Sequence, residues 1–284
     1  MSSIFRTAAF LSLASLLWSA ATPQLVAQTS PTPRSTPVVR PLTPKPDLSL
    51  LVDATTNFLN GEAFQTESTI EITGSGSASN YQMRFRTNTI VQAPDRFRAE
   101  ISLIPPSDQA DRVDPNRTLV VSDGQRVWIY RADLKQYMSM AYSEFDRRND
   151  SFAPGMSSML YLIIAPEMKA LATQGLLTSE TIKNQLDDLA TADLKGGNRR
   201  VNGEDLFVYE YSDRGNRYSY SAMINPLEKT LRGVQLKGGT PDLSITMTEI
   251  IQKRVANPQV IAETFRFTPP RDARQVRSLE IIPF

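Results

Sequence analysis

Cysteine and histidine are both absent from the sequence. Without cysteine the chain has no disulfide framework, no lipid-modified N-terminal cysteine and no thiol nucleophile. Without histidine it lacks a Ser-His-Asp triad and most zinc sites. It also contains no nucleophile elbow, no phosphate-binding loop and no dinucleotide fingerprint. We therefore predict that the protein is not an enzyme and holds no metal and no cofactor, with carboxylate chemistry among its thirty acids as the third-ranked alternative.

An excess of either charge is missing as well. Lysine and arginine number 31 against 30 aspartates and glutamates, and removal of Arg6 with the N-terminal segment makes the remainder neutral. Nucleic-acid binding requires a clustered basic face, whereas the arginine pairs of this chain fit the solvated sides of strands. We expect no nucleic-acid partner.

The N-terminal region shows two compositions that do not build a fold. Residues 1–27 hold one early positive charge, an apolar run and then small residues, which is typical of a secretory signal peptide. A retained N-terminal anchor is the alternative. Residues 28–46 contain six prolines and predict an extended linker. The folded domain is then expected over 47–284, in the periplasm or secreted.

Most of the remaining chain alternates between apolar and polar residues. A helix is predicted after Asp47, and period-two alternation follows, as in Tyr81-Gln82-Met83-Arg84-Phe85. Such alternation indicates antiparallel strands with one buried face. The count reaches about ten or eleven strands, ending with Glu263–Phe267. A meander of this length must curl to bury its inner face.

The stretch LVVSDGQRVWIYRADLKQYM, residues 119–138, predicts two consecutive hairpins. With Asp123-Gly124 as a two-residue turn, Leu119 is expected opposite Trp128. One face then carries Leu119, Val121, Trp128 and Tyr130, and the other is apolar too. We expect these strands to be covered on both sides, or to cover a cavity on one.

Apolar helices are predicted between the two groups of strands. The run from Phe152 to Leu177 fits one or two short helices broken at Pro166, and a polar helix is expected near Thr178–Ala190. Five of the nine methionines lie in or just before this region, at 138, 140, 156, 159 and 168. Methionine suits surfaces that accommodate variable apolar shapes, but it also fills gaps in ordinary cores. Both interpretations stay open.

Three patches resemble the LolA-like superfamily, whose type member is the periplasmic carrier of outer-membrane lipoproteins. They are VVSDGQRVWIYRADLKQYMS in the central hairpins, APDRFRAEI at a strand start, and ETFRFTPPRDARQV near the end. The resemblance spans roughly residues 48–276. It implies an α+β fold, namely an incomplete antiparallel β-barrel with helices inserted as a lid over a hydrophobic cavity.

By this resemblance the protein is expected to act as a monomeric carrier or binding protein for a lipoprotein or other acylated ligand. Inner- or outer-membrane lipoprotein-handling proteins are the expected partners. The alternative is a sensor or interaction module without a transport role, favoured because the family's lid-latching arginine is replaced here by Ala93. The candidate cavity and lid residues, for which ordinary core packing is the alternative, are Trp128, Tyr130, Met138, Met140, Met156, Met159, Leu160 and Ile163.

Overall fold

The computed structural model describes residues 46–76, 80–105, 117–186, 193–212, 218–240 and 243–282. The predicted signal peptide and nearly all of the predicted linker lie outside these ranges, so both remain predictions. Five helices are present in the described part. They are α1 (Ser49–Leu59), α2 (Tyr142–Phe145), α3 (Met156–Ile163), α4 (Pro166–Thr173) and α5 (Ser179–Leu186).

Three helix predictions are confirmed by these bounds. Asp47 accepts hydrogen bonds from the backbone and hydroxyl of Ser49 at the start of α1, at 2.9 and 2.8 Å. The apolar segment does form two helices, and α4 begins at Pro166, where proline is tolerated because the first N–H of a helix has no partner. The polar helix α5 lies within its predicted range.

The described strands form one open sheet of twelve. They are β1 (Ala63–Gly76), β2 (Asn80–Gln92), β3 (Arg96–Leu103), β4 (Arg117–Asp123), β5 (Arg126–Arg131), β6 (Gln136–Ala141), β7 (Asp193–Val201), β8 (Glu204–Ser212), β9 (Tyr218–Asn225), β10 (Thr230–Thr240), β11 (Leu243–Ala256) and β12 (Arg274–Gln275).

The strand order across the sheet is β12-β6-β5-β4-β3-β2-β1-β11-β10-β9-β8-β7. Neighbours are antiparallel except for the short β12, which pairs in parallel with β6. The two edges are different strands that do not pair with each other, so the sheet is not closed. This agrees with an incomplete antiparallel barrel, with one or two strands more than the sequence predicted.

Two faces follow from the alternation along β1, where buried and half-buried residues follow one another. We call the face that carries Phe64, Ile70 and, through cross-strand pairing, Phe85 the inner face. Helical residues pack on it directly. The ring of Tyr161 in α3 lies 5.2 Å from that of Phe64, edge to face. The inner face is therefore the core side of the sheet, as expected for a sheet with helices on one side.

Helix α1 covers the other half of the inner face. Its Ala54 forms a buried cluster with Tyr209 of β8 and Ile224 of β9. The Tyr209 hydroxyl donates to the backbone oxygen of Asp47 at 2.6 Å, which fixes the start of the helix. The apolar residues of α1 recur at helical spacing, and that stripe is what the strands bury.

The prediction of a C-terminal strand at Glu263–Phe267 is wrong. Residues Ala262–Phe265 form a short 3-10 helix, and the segment crosses the outer face of β3–β6. Phe265 is buried beneath the guanidinium of Arg96, 5.5 Å from the ring centre. Phe267 packs on Trp128 and Tyr130. Two aromatic residues at a spacing of two are typical of a strand, but here both point at a sheet that lies beneath them.

The chain then turns around the β6 edge and returns to the inner face. After β12, the residues Leu279, Ile281 and Ile282 are buried in the main core. The Thr118 hydroxyl of β4 donates to the Ile281 carbonyl at 3.0 Å. The doubly apolar hairpin is thus covered on both sides, which is the first of the two arrangements that the sequence predicted.

The observed register of that hairpin differs from the predicted one by two residues. Leu119 lies opposite Tyr130 and Val121 opposite Trp128. The two turn residues are Gly124 and Gln125, since Ser122 pairs with Val127. The Asp123 carboxylate accepts the backbone N–H groups of Gln125 and Arg126. Gly124 has φ +97°, which suits the first central position of such a turn. The assignment of residues to the two faces is unchanged.

Candidate ligand-binding face

One end of the inner face is apolar but only partly covered. A row of side chains crosses six strands there, each directly opposite the next in the ladder. Their Cβ atoms lie about 5 Å from one to the next, so they form a continuous surface. We call this set the open row; its members are Tyr211, Tyr220, Leu236, Met247, Ile72 and Met83.

The two central members, Ile72 and Met247, are buried, whereas those toward the sides are half-buried. The open row carries no ionisable group other than the phenols of its two tyrosines. Tyr81 lies in the next row, 39 % exposed, and its ring covers Gly74, where an added Cβ would collide with it. An apolar surface of this kind suits a neutral hydrocarbon chain.

A polar stripe crosses the inner face under the start of α3, and on β1 and β2 it is separated from the open row by Ile70 and Phe85. The hydroxyls of Thr87 and Thr89 donate to the backbone carbonyl of Pro154. The hydroxyl of Thr66 hydrogen-bonds that of Ser158 at 2.9 Å. All three threonines are completely buried. Hydrogen bonds of this kind make the position of the helix specific, which packing of apolar groups alone does not.

Glu249 of β11 completes the stripe. Its carboxyl group accepts the backbone N–H of Ser157 at 2.7 Å and the hydroxyl of the same residue at 2.8 Å. Burial raises the pKa of Glu249 above its usual value, opposed by the hydrogen bonds that Ser157 donates. A buried carboxyl of the sheet therefore holds the first turn of α3, where the positive end of the helix dipole lies.

The structure separates the predicted cavity residues into two groups. Met138, Met140 and Met159 are buried in the main core on the inner side. Met156 and Leu160 are half-buried on α3. Ile163 belongs to the same helix, and its side chain lies outside the described set.

Trp128 and Tyr130 lie on the opposite, outer face. Their ring centres are 6.4 and 6.1 Å from that of Phe267. They therefore do not share a surface with the methionines. Their predicted contact with an acyl chain stays untested, and what the geometry gives them is a packing role under the C-terminal segment.

Ala93, where the resemblance would place a latch arginine, carries only a methyl group. Its peptide bond to Pro94 is cis, and its N–H donates to the Glu62 carbonyl at 3.1 Å. The same turn is tied to α4 by another pair, Lys169 with Asp95, at 2.8 Å. The helices are thus attached to the sheet through Asp95 and Glu249 instead of through residue 93.

Glu249 was missed in the sequence, although the alternation of β11 contains its signal. Ile245, Met247 and Ile251 occupy inner positions, and Glu249 stands between them where an apolar residue is expected. A single acidic residue at a buried position of a strand requires a hydrogen-bond partner. The sequence alone does not say that the partner comes from a helix some ninety residues earlier.

Two further findings concern the described ranges only. Among those residues no group of three or more acidic side chains is placed to hold a metal ion. No helix in the same ranges has the length and hydropathy needed to cross a membrane.

No protein-family model matches the chain, and no curated protein matches it. Among solved structures, one similar chain is a LolA superfamily protein from Nitrosomonas europaea, 11 % identical, with a TM-score of 0.29 over 77 % of this chain and 96 % of that one. LprF from Mycobacterium bovis is 9 % identical, with a TM-score of 0.39 over 81 % of this chain and all of that one.

The MucA/MucB complex from Pseudomonas aeruginosa is also similar, at 14 % identity and a TM-score of 0.34, over 77 % of this chain and 60 % of that one. At identities and TM-scores of this size, no ligand, residue role or family membership is transferred from these proteins.

Proposed function

We propose that the protein is an extracytoplasmic binding protein or carrier for lipoproteins or other acylated ligands. The acyl chain would lie along the open row, beside α3, with α3 and α4 acting as a lid. The observation that supports this most strongly is an uncharged apolar surface six strands wide that adjoins helices held by polar contacts. The LolA-like sequence patches support the same function.

Binding of an acyl chain at such a site requires no reactive side chain. Each buried methylene contributes about 0.8 kcal/mol, so a chain of a dozen methylenes brings roughly 10 kcal/mol before ordering costs. A polar headgroup or a peptide would remain outside the open row. Transfer of the ligand to a lipoprotein-handling protein of the inner or outer membrane then requires that α3 and α4 move, because these helices adjoin the open row.

The test is a pair of substitutions on neighbouring residues of β2. Met83 belongs to the open row, whereas Gln82 is exposed on the outer face of the same strand. Met83→Glu and Gln82→Glu add the same charge one residue apart. A fluorescent diacylated lipopeptide should bind Met83→Glu at least tenfold more weakly, because its chain would meet a carboxylate, and should bind Gln82→Glu within about twofold of the parent protein.

Equal binding by the two variants would contradict the location of the site. Absence of binding by the parent protein itself would contradict the function. Native mass spectrometry of protein purified without detergent identifies an endogenous ligand, since a bound lipid or acylated protein appears as a discrete added mass.

The alternative is a sensor or interaction module with the same fold. The observation in its favour is the firmness of the attachment between helices and sheet, through Thr66, Thr89 and Glu249. Transfer of the lipopeptide from donor to acceptor vesicles separates the two functions. A carrier accelerates transfer in proportion to its concentration, whereas a module binds a non-acylated partner and leaves the transfer rate unchanged.

A further inference from the structure

Glu249 is an acid that the proposed binding function does not by itself explain. Its side chain is completely buried in the middle of the sheet, and its nearest inner neighbours along the strand, Met247 and Ile251, are apolar. A carboxyl group in such a place is costly unless it is hydrogen-bonded. Its position between the open row and the start of α3 suggests that it serves the movement of the helices.

The contact is close and involves backbone as well as side chain. Both carboxyl oxygens of Glu249 are used, one by the N–H of Ser157 and the other by its hydroxyl. Gly155, with φ +124°, comes so near that an added Cβ would lie 3.2 Å from a carboxyl oxygen. A side chain there would both strain the backbone and crowd the carboxyl group. The segment 155–158 is thus shaped around Glu249.

The elements packed against Glu249 present hydroxyl and apolar groups to it. Ile70 of β1 and Val234 of β10 are its direct neighbours in the ladder. The other titratable side chains on the inner side of these elements have partners of their own. They are Arg254 of β11, which packs on Phe58 and Phe64 and donates to the Phe58 carbonyl, and Tyr161 of α3, which donates to the Gly61 carbonyl.

We propose that Glu249 is a protonation-dependent latch, whose neutral form holds the start of α3 on the sheet and whose ionised form favours release. This proposal rests on the proposed function only in that release uncovers more of the surface beside the open row. It is a regulation of that site that does not involve position 93.

The direction follows from solvation. In the closed arrangement the carboxyl group is out of water, and burial raises its pKa above the ordinary value of 4.5. In an open arrangement water reaches it and the pKa returns to that value. Ionisation therefore costs more in the closed form, and a rise in pH shifts the population toward the open form. The shift is at most tenfold for each unit of pH between the two values.

Hydrogen exchange on the full chain tests this without labels. Amides of residues 154–165 are compared between the parent protein and Glu249→Gln, which imitates the neutral carboxyl group. The two proteins have the same sequence in this segment. The exchange rate of the parent protein divided by that of Glu249→Gln at one pH therefore equals the ratio of their equilibrium constants for opening of α3. We expect a ratio near one at pH 4, rising progressively toward pH 8. Glu71→Gln, an equal charge change on the outer face of β1, should leave the ratio at one throughout.

A ratio that stays constant with pH, whatever its value, overturns the latch. Ser157→Ala is a second variant, useful if Glu249→Gln folds poorly. It removes a hydrogen bond that favours the ionised form in the closed arrangement, so the rise in exchange should begin at the same pH and level off at a higher pH. An unchanged profile also counts against the proposal. Binding of the lipopeptide is measured separately. A pH-dependent ratio of exchange rates without lipopeptide binding refutes the proposed function and supports the latch. Lipopeptide binding with a constant ratio supports the proposed function and refutes the latch.

Discussion

Replacement of Phe265 by alanine tests the assignment of the C-terminal segment to the outer face. The ring is 3 % exposed and lies under the Arg96 guanidinium, against β3 and β4. Loss of a buried phenylalanine costs about 3–5 kcal/mol. The lower end of that range applies, since a surface segment can settle into part of the space. The lost cation–π contact adds about 0.5–1 kcal/mol. We therefore expect the free energy of unfolding to fall by about 3–4 kcal/mol.

Urea unfolding followed by circular dichroism measures this change. Leu227→Ala is the control, because Leu227 is 93 % exposed in the β9–β10 turn and its loss should cost less than about 0.5 kcal/mol. The two variants should bind the lipopeptide alike below the unfolding transition, because Phe265 lies on the opposite face from the open row. A loss below about 1 kcal/mol for Phe265→Ala would refute the described packing.

Three further outcomes are expected. Trp128→Ala should lower the melting temperature by several degrees through loss of its contact with Phe267, while lipopeptide affinity changes less than twofold; a selective loss of affinity would restore Trp128 to the binding site. Asp150→Ala should cost about 3 kcal/mol in urea, because the buried carboxylate accepts the Ile281 N–H and pairs with an arginine; an unchanged midpoint would contradict this. The raised pKa of Glu249 means that its stabilising contribution is present below pH 4.5 and is lost as pH rises through the folded-state value. Denaturation at several pH values should show that slope, and Glu249→Gln should remove it.

Local patterns in the sequence predicted most of the fold because each acts over a few residues. Asn202-Gly203 is a dipeptide that favours a two-residue hairpin turn, and both residues have positive φ there. Pro166 was assigned a helix boundary and begins α4. The alternation in β1 to β3 was assigned one buried face and has one. In each case the chemistry that decides the structure lies within the pattern itself.

What sequence patterns did not predict depends on distant residues. Phe265 and Phe267 have the spacing of a strand, but Phe265 packs under Arg96 of β3 and Phe267 packs on the aromatic residues of β5, instead of pairing within the sheet. Trp128 has the composition of a cavity residue, but the side of the sheet that the helices cover decides its neighbours. Glu249 has no local explanation, since its partner Ser157 lies in another element.

The strand order places β1 beside β11, with Phe64 opposite Ala256 at one end and Gly76 opposite Leu243 at the other. Strands β1–β6 and β7–β11 each form by local hairpins, whereas the seam between these two halves joins residues that are 167 to 192 positions apart. Pairing over such a separation is slow because the loop must close before any contact rewards it. Glu249 belongs to β11, at this seam. A folding chain therefore acquires the group that secures α3 only when its two halves have joined, and a half-assembled molecule would present its inner face without that restraint.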